Sequence, residues 1–218
     1  MKGLLIKDWK LMKNNAMFIL MIIFISIACA AGLKNPFFAL GYATALISIF
    51  SVNTIAYDEY DNGMAHLFSL PISRKIYVKE KYVFAILLSV IGLTIATVIS
   101  VVVSLALCEH YAIEEWIGIL AMSLFVVILI QVVIMPVRIR FDSEKHKMVM
   151  LIVCGAMAAV VGGAYAIAEA SGIDVEGFLD GILLTKAWMT LAGVILLGAF
   201  LMFISYKISL KLMAKREF

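Results

Sequence analysis

Charge is scarce in this chain. Only 15% of its 218 residues are Asp, Glu, Lys or Arg, while 64% are hydrophobic and the mean hydropathy is +1.07. Soluble domains carry about a quarter charged and about half apolar residues. So little polar surface cannot cover a water-soluble globule, and a bilayer must be the solvent. Histidine is confined to His66, His110 and His146, all in polar stretches. None has a metal-site partner at i+4, which excludes a zincin-type site. The three cysteines, Cys29, Cys108 and Cys154, are scattered and odd in number. They specify neither a disulfide framework nor metal-ligand spacing, and read as small apolar residues in or beside spans. There is no G-x-x-x-x-G-K-[ST] loop to cradle ATP, and the apolar runs contain no nucleophile paired with a base. The chain is therefore not expected to be an enzyme, and no catalytic, cofactor-binding or metal-ligating residue is assigned. Proline occurs only at Pro36, Pro71 and Pro136. Each is expected at a span boundary or in a loop, where the missing backbone donor costs least.

What is present is a series of long apolar runs. At about 20 residues per crossing, roughly six helices fit and no separate soluble domain does. The expected fold is all-α and integral to the membrane, a single transmembrane domain over residues 1–218. Spans are predicted over residues 16–33, 37–56, 82–107, 117–135, 148–168 and 188–206, with the fourth stopping at Pro136. The first run is too long for a cleaved signal peptide. Gly41, Thr44, Ala45, Ser48 and Ser51 in the second span, and Gly155, Ala159 and Gly163 in the fifth, are spaced to let helices approach closely in lipid.

The bases sort by side. Sixteen of the eighteen lie before the first span, between the second and third, between the fourth and fifth, or after the sixth; only Lys34 and Lys186 fall opposite. The positive-inside rule then puts both termini in the cytoplasm of a multi-pass protein. No charged residue falls inside a span so drawn, which argues against an ion- or proton-coupled carrier, since the coupling charge must bind at depth. Asn53, Gln131 and scattered Ser and Thr are the polar residues of the spans and read as interhelical glue.

Residues 57–81, YDEYDNGMAHLFSLPISRKIYVKEK, form the longest polar interruption. An apolar cluster, Met64, Leu67, Phe68 and Leu70, sits among charges with no span to belong to. Leu70-Pro71 ends a short helix there, because a residue before proline is pushed from the helical region. Ser73 is placed to cap a helix that starts at Arg74 and runs into the third span. Two readings fit: a docking surface for a cytoplasmic partner, with an apolar grip and a charged rim, or an amphipathic loop resting on the inner leaflet. Residues 1–15 are amphipathic as well. Leu5, Trp9 and Met12 share a face and suit an interfacial helix lying on membrane lipid, although the lysines around them would also serve as a topology signal alone.

Asp58, Gly63, the run Ser69-Leu70-Pro71-Ile72-Ser73-Arg74-Lys75, Val78 and Lys81-Tyr82, together with the opening MKGLLIKDWK, resemble ABC-2-type transporter permeases of the short six-span bacterial subfamily. The layout matches over essentially the whole chain, the specific motifs only over these two stretches. The resemblance implies a permease subunit in the bacterial plasma membrane that works with a separate ABC ATPase, which holds the ATP and Mg, and pairs with a second permease subunit as homo- or heterodimer. Nucleic acid is not an expected partner. It implies a coupling helix in the first cytoplasmic loop, on Met64, Leu67, Phe68, Leu70 and Pro71 with Arg74 and Lys75 at its edge. By position alone it also implies a re-entrant outer loop over residues 169–187. Among such permeases, exporters of phenol-soluble modulins and similar amphipathic peptides are the suggested relatives, so an antimicrobial or amphipathic peptide is the expected cargo, with lipid or a hydrophobic drug next. The alternative is a non-transporting membrane protein, an immunity factor or an anchor for a cytoplasmic partner.

Overall fold

The computed structural model describes residues 1–60, 63–108, 111–141 and 187–216, with positions 149, 155, 162 and 163 between them. The fifth predicted span and the outer loop lie outside the described residues, apart from those four positions and Ala187. Among the described residues, seven helices with defined bounds follow in order: α1 (Lys2–Asn14), α2 (Ala16–Gly32), α3 (Pro36–Glu59), α4 (Gly63–Ser69), α5 (Arg74–Ala106), α6 (Ile113–Arg140) and α7 (Ala187–Ala214). Among the described residues there is no strand. Four of the helices, α3, α5, α6 and α7, are long and apolar enough to cross a membrane. The pair α1–α2, bent by 60°, makes a fifth if it counts as one crossing.

Local chemistry sets the helix ends. Asn35 caps α3, its Oδ1 accepting from the Phe37 N–H at 3.0 Å, and Pro36 occupies the first helical position, where its missing donor is no loss. At Asn15 the side chain donates back to the Leu11 carbonyl at 2.9 Å, closing α1 as the chain turns into α2. Ser73 caps α5 as predicted, accepting from the Ile76 N–H at 3.3 Å. The α5 helix runs for 33 residues. At 1.5 Å per residue that is about 50 Å, well beyond the ~30 Å of a hydrocarbon core, so its polar first turns extend past its apolar length.

The fourth span does not stop at Pro136. Helix α6 continues through it to Arg140. A proline inside a helix removes the N–H that the carbonyl four residues earlier would accept. That carbonyl belongs to Val132, and it accepts instead from the Ser205 hydroxyl of α7 at 2.8 Å. A neighbouring serine restores the lost bond, so the helix has no reason to end.

Helix α3 lies at the centre and packs most closely on α5, with α2 and α6 also against it, while α6 pairs with α7. The close α3–α5 approach uses Thr44, Ser48 and Ser51, all buried, and Gly92, where an added Cβ would stand 3.2 Å from Ile47. Gly41 faces open space and is not on this seam. Gln131 does join helices: its Nε2 donates to the Ala85 carbonyl at 3.1 Å and to Ser89 Oγ at 2.5 Å. Asn53 is exposed and makes no such tie. Leu40, Ile47, Phe84 and Leu88 form the middle of the core. Tyr77, Met135, Ile139 and Met213 form its end, beside the charged turns of α5.

Candidate functional site: a buried ion cluster at the charged end of the bundle

Several of the charges that flank the spans do not stand in solvent. Helix α3 continues about one turn past its predicted span and α5 begins about two turns before its own. Asp58 is thereby carried to the end of one buried stripe and Lys81 to the start of another. Each continues its stripe at helical spacing, Thr54 to Asp58 and Tyr77 to Lys81, one turn apart. Asp8 reaches the same place from α1, between Leu4 and Met12. Asp8, Glu80 and Lys81 have no exposed surface, and Asp58 is nearly covered.

Lys81 is the hub. Its ammonium donates to Asp8 Oδ2 at 2.5 Å and to Thr54 Oγ1 at 3.0 Å, and pairs with Asp58 Oδ2 at 2.8 Å. An ammonium has three N–H donors, and all three have acceptors. The Thr54 hydroxyl is free to accept because its own proton goes to the Ser51 carbonyl at 2.8 Å. Asp58 also accepts from the Tyr77 hydroxyl at 3.0 Å and from Lys7. Lys7 closes the circuit with Asp8 Oδ1 at 3.5 Å. One lysine therefore ties α1, α3 and α5 together.

A second cluster lies on the α6–α7 side. Glu59 pairs with Arg138 at 2.7 Å and with Arg216 at 2.9 Å, and Arg216 also donates to the Ile139 carbonyl at 2.9 Å. Between the two clusters and α7, the Tyr82 hydroxyl lies 2.7 Å from Ser205 Oγ and 2.8 Å from Ser209 Oγ. Ser205 spends its proton on Val132, so it must accept from Tyr82, and Tyr82 in turn must accept from Ser209. The direction of the whole hydroxyl chain is fixed.

The residues expected to dock a partner distribute unequally. Met64 is buried, and Leu67 and Phe68 pack inward on the core, Phe68 edge-on to the Tyr77 ring at 5.7 Å. Leu70, Pro71 and Lys75 are exposed, as is His66. Arg74 donates to the Met213 and Ala214 carbonyls at 3.1 and 2.8 Å, capping the end of α7. Of the residues expected to meet lipid, Leu5 and Met12 are half-buried against the core and Trp9 is about half-exposed. Asp8, Thr54, Asp58, Tyr77 and Lys81 were not among the expected site residues. Their signal is polar side chains that prolong an apolar stripe at i, i+4.

An all-helical chain with several apolar helices of crossing length, tied at one end by buried ion pairs, is a multi-pass membrane protein. It belongs to the ABC-2 family transporter proteins, whose family model matches residues 3–214. It is thus a membrane permease component of an ABC transporter, of a family that normally works with a cytoplasmic ABC ATPase. No curated protein and no solved structure matches the chain.

Proposed function

We propose that this chain is the half-transporter of an ATP-driven exporter that moves amphipathic or antimicrobial peptides across a bacterial plasma membrane. Both termini and the charged end of the bundle face the cytoplasm, in keeping with the distribution of Lys and Arg. Two permease subunits pair, and each engages an ATPase subunit that carries the ATP and Mg. The peptide cargo rests on the resemblance of the Ser69–Lys75 and Met1–Lys10 stretches to peptide exporters.

The observation that carries the mechanism is the linkage between α4 and Lys81. Helix α4 hangs between α3 and α5 and is fastened inward by Met64, Leu67 and Phe68. A motor gripping its outer side, around His66, Leu70, Pro71 and Lys75, would move it together with the start of α5. Two turns on, Lys81 is bonded to α1 and α3. A displacement of α4 would then pass to three helices at once rather than be lost in a loop.

The test is co-purification with an ABC ATPase from the same cell, combined with peptide-dependent ATP turnover. Leu70→Asp with Lys75→Glu alters only exposed side chains, so these variants should fold yet lose the ATPase and peptide export. An ATPase never retained by the wild type, together with unchanged export by the double variant, would sink the reading. An ATPase that binds but ignores peptide would indicate an anchor instead.

A further inference from the structure

We infer that Glu80 is protonated and donates to Asp8, and that this hydrogen bond completes the attachment of α1 to α5. Both side chains are fully buried, on α1 and α5 respectively. Asp8 is bonded to Lys81, the residue next to Glu80 on α5, so both carboxyl groups lie at the contact between α1 and α5. Among the described residues no donor reaches either Glu80 oxygen, and none hydrogen-bonds Asp8 Oδ1. The available N–H and O–H groups are already placed: Lys81 on Asp8 Oδ2, Asp58 and Thr54, Lys7 and the Tyr77 hydroxyl on Asp58.

An ionised carboxylate buried without a donor is among the costliest arrangements a protein can hold, and a proton is the usual remedy. Two carboxyl groups side by side with vacant oxygens need only one, donated by the first to the second. Charge counting agrees. Asp8, Asp58 and Glu80 against Lys7 and Lys81 leave one negative charge, which one proton removes. Glu59, Arg138 and Arg216 form a separate cluster and supply no donor to Glu80. With Glu80 as the acid and Asp8 Oδ1 as the acceptor, Asp8 Oδ1 gains a donor and the second Glu80 oxygen is left as a neutral carbonyl, which costs far less to bury than a carboxylate.

Swinging α1 off α5 would open Glu80 to water and release the proton. The native state holds a proton that the unfolded chain gives up, so the α1 contact weakens as pH rises. The inference depends on neither cargo nor ATPase.

Infrared difference spectra of the purified full-length protein, wild type minus Glu80→Gln, test it at neutral pH. A protonated-carboxyl C=O band present in the wild type and lost in the variant is expected. The wild-type melting temperature should fall as the pH is raised from about 4.5 to about 7, where the folded Glu80 keeps a proton that the unfolded chain has lost, and Glu80→Gln should abolish that fall. If Glu80→Gln does not fold, Asp8→Asn replaces it. Two carboxylates then balance two ammoniums, the new amide donates to Glu80, and the band is again lost. A wild type without the band at neutral pH overturns the inference, and so does a band that persists in the folded variants. A cation in the proton's place also overturns it, and would show as a melting temperature that follows sodium or potassium concentration without the band.

Discussion

The Ser205 hydroxyl sits 2.8 Å from the Val132 carbonyl, in the place of the N–H that Pro136 lacks. The two residues are one device. Ser205→Ala leaves the carbonyl without a donor and Tyr82 without its acceptor, and should lower unfolding stability by about 1–3 kcal/mol. Pro136→Ala returns the backbone N–H. In that background the Ser205→Ala loss should shrink, so the double-mutant cycle, read by chemical denaturation in detergent, should show positive coupling. Strict additivity of the two substitutions would refute the device.

Lys81→Met keeps most of the side-chain volume and deletes the hub charge. Asp8 and Asp58 would then face each other while buried, with Lys7 as their remaining cation. Removing one partner of a buried ion pair costs about 3–5 kcal/mol. The loss should be local first, because α1 touches the bundle more lightly than any other long helix. A cysteine placed at Leu4, which is buried, should be slow to react with a water-soluble thiol reagent in a protein that otherwise lacks cysteine. Adding Lys81→Met should speed that reaction at least several-fold, while Lys75→Met should leave it unchanged. Equal rates in all three would show that Lys81 does not hold α1.

The apolar runs of α3, α5, α6 and α7 were legible because lipid demands length and hydropathy, and both are visible without a structure. The Ser73 cap was legible for a similar reason: a hydroxyl one residue before a helix acts locally. The course of α6 through Pro136 was not. It depends on Ser205, which is 73 positions away from the carbonyl that it rescues. The ion cluster was hidden by a habit of reading, since charges at the ends of apolar runs are taken as solvated flanks. Asp58 and Lys81 lie one turn beyond buried residues on their own stripes, and Asp8 interrupts an apolar stripe on α1. Only tertiary contact shows that the three stripes converge. The apolar character of Leu67 and Phe68 was legible, but the direction in which they point was not.

Two glycines with similar crowding should respond unequally to alanine. At Gly63 an added Cβ would lie 2.7 Å from the Asp58 carbonyl oxygen, and at Gly198 it would lie 2.4 Å from Ile128 Cδ1. The first obstacle is backbone at the end of α3, held by the ion cluster, and it cannot retreat. The second is the tip of a flexible side chain that can change rotamer. Gly63→Ala should therefore destabilise by about 1–3 kcal/mol, as overpacking does. Gly198→Ala should cost less, because a helix interior also gains up to about 1 kcal/mol when Gly becomes Ala. Melting temperatures of the two variants decide the point. A Gly198→Ala variant that is less stable than Gly63→Ala would contradict the argument.

Arg74 and Arg216 close the charged end by capping the ends of α7 and α6. Arg74, at the start of α5, donates to the last carbonyls of α7, and Arg216, just after α7, donates to the Ile139 carbonyl near the end of α6. The last four carbonyls of a helix have no partners within it, so each arginine satisfies groups that the helices cannot. Glu59 completes the ring by holding Arg216 and Arg138 at once. The three members should not be equivalent. Arg216→Ala frees one carbonyl and leaves Glu59 paired with Arg138, and a loss of about 1–3 kcal/mol is expected. Glu59→Ala instead removes the carboxylate shared by two guanidinium groups, that of Arg138 almost fully buried, and about 3–5 kcal/mol is expected. Arg216→Lys should rescue little, because a single ammonium cannot reach Glu59 and the Ile139 carbonyl with the geometry of a guanidinium fork. Unfolding in denaturant would rank the three variants. If Arg216→Ala proved as damaging as Glu59→Ala, the carboxylate would not be the centre of the ring.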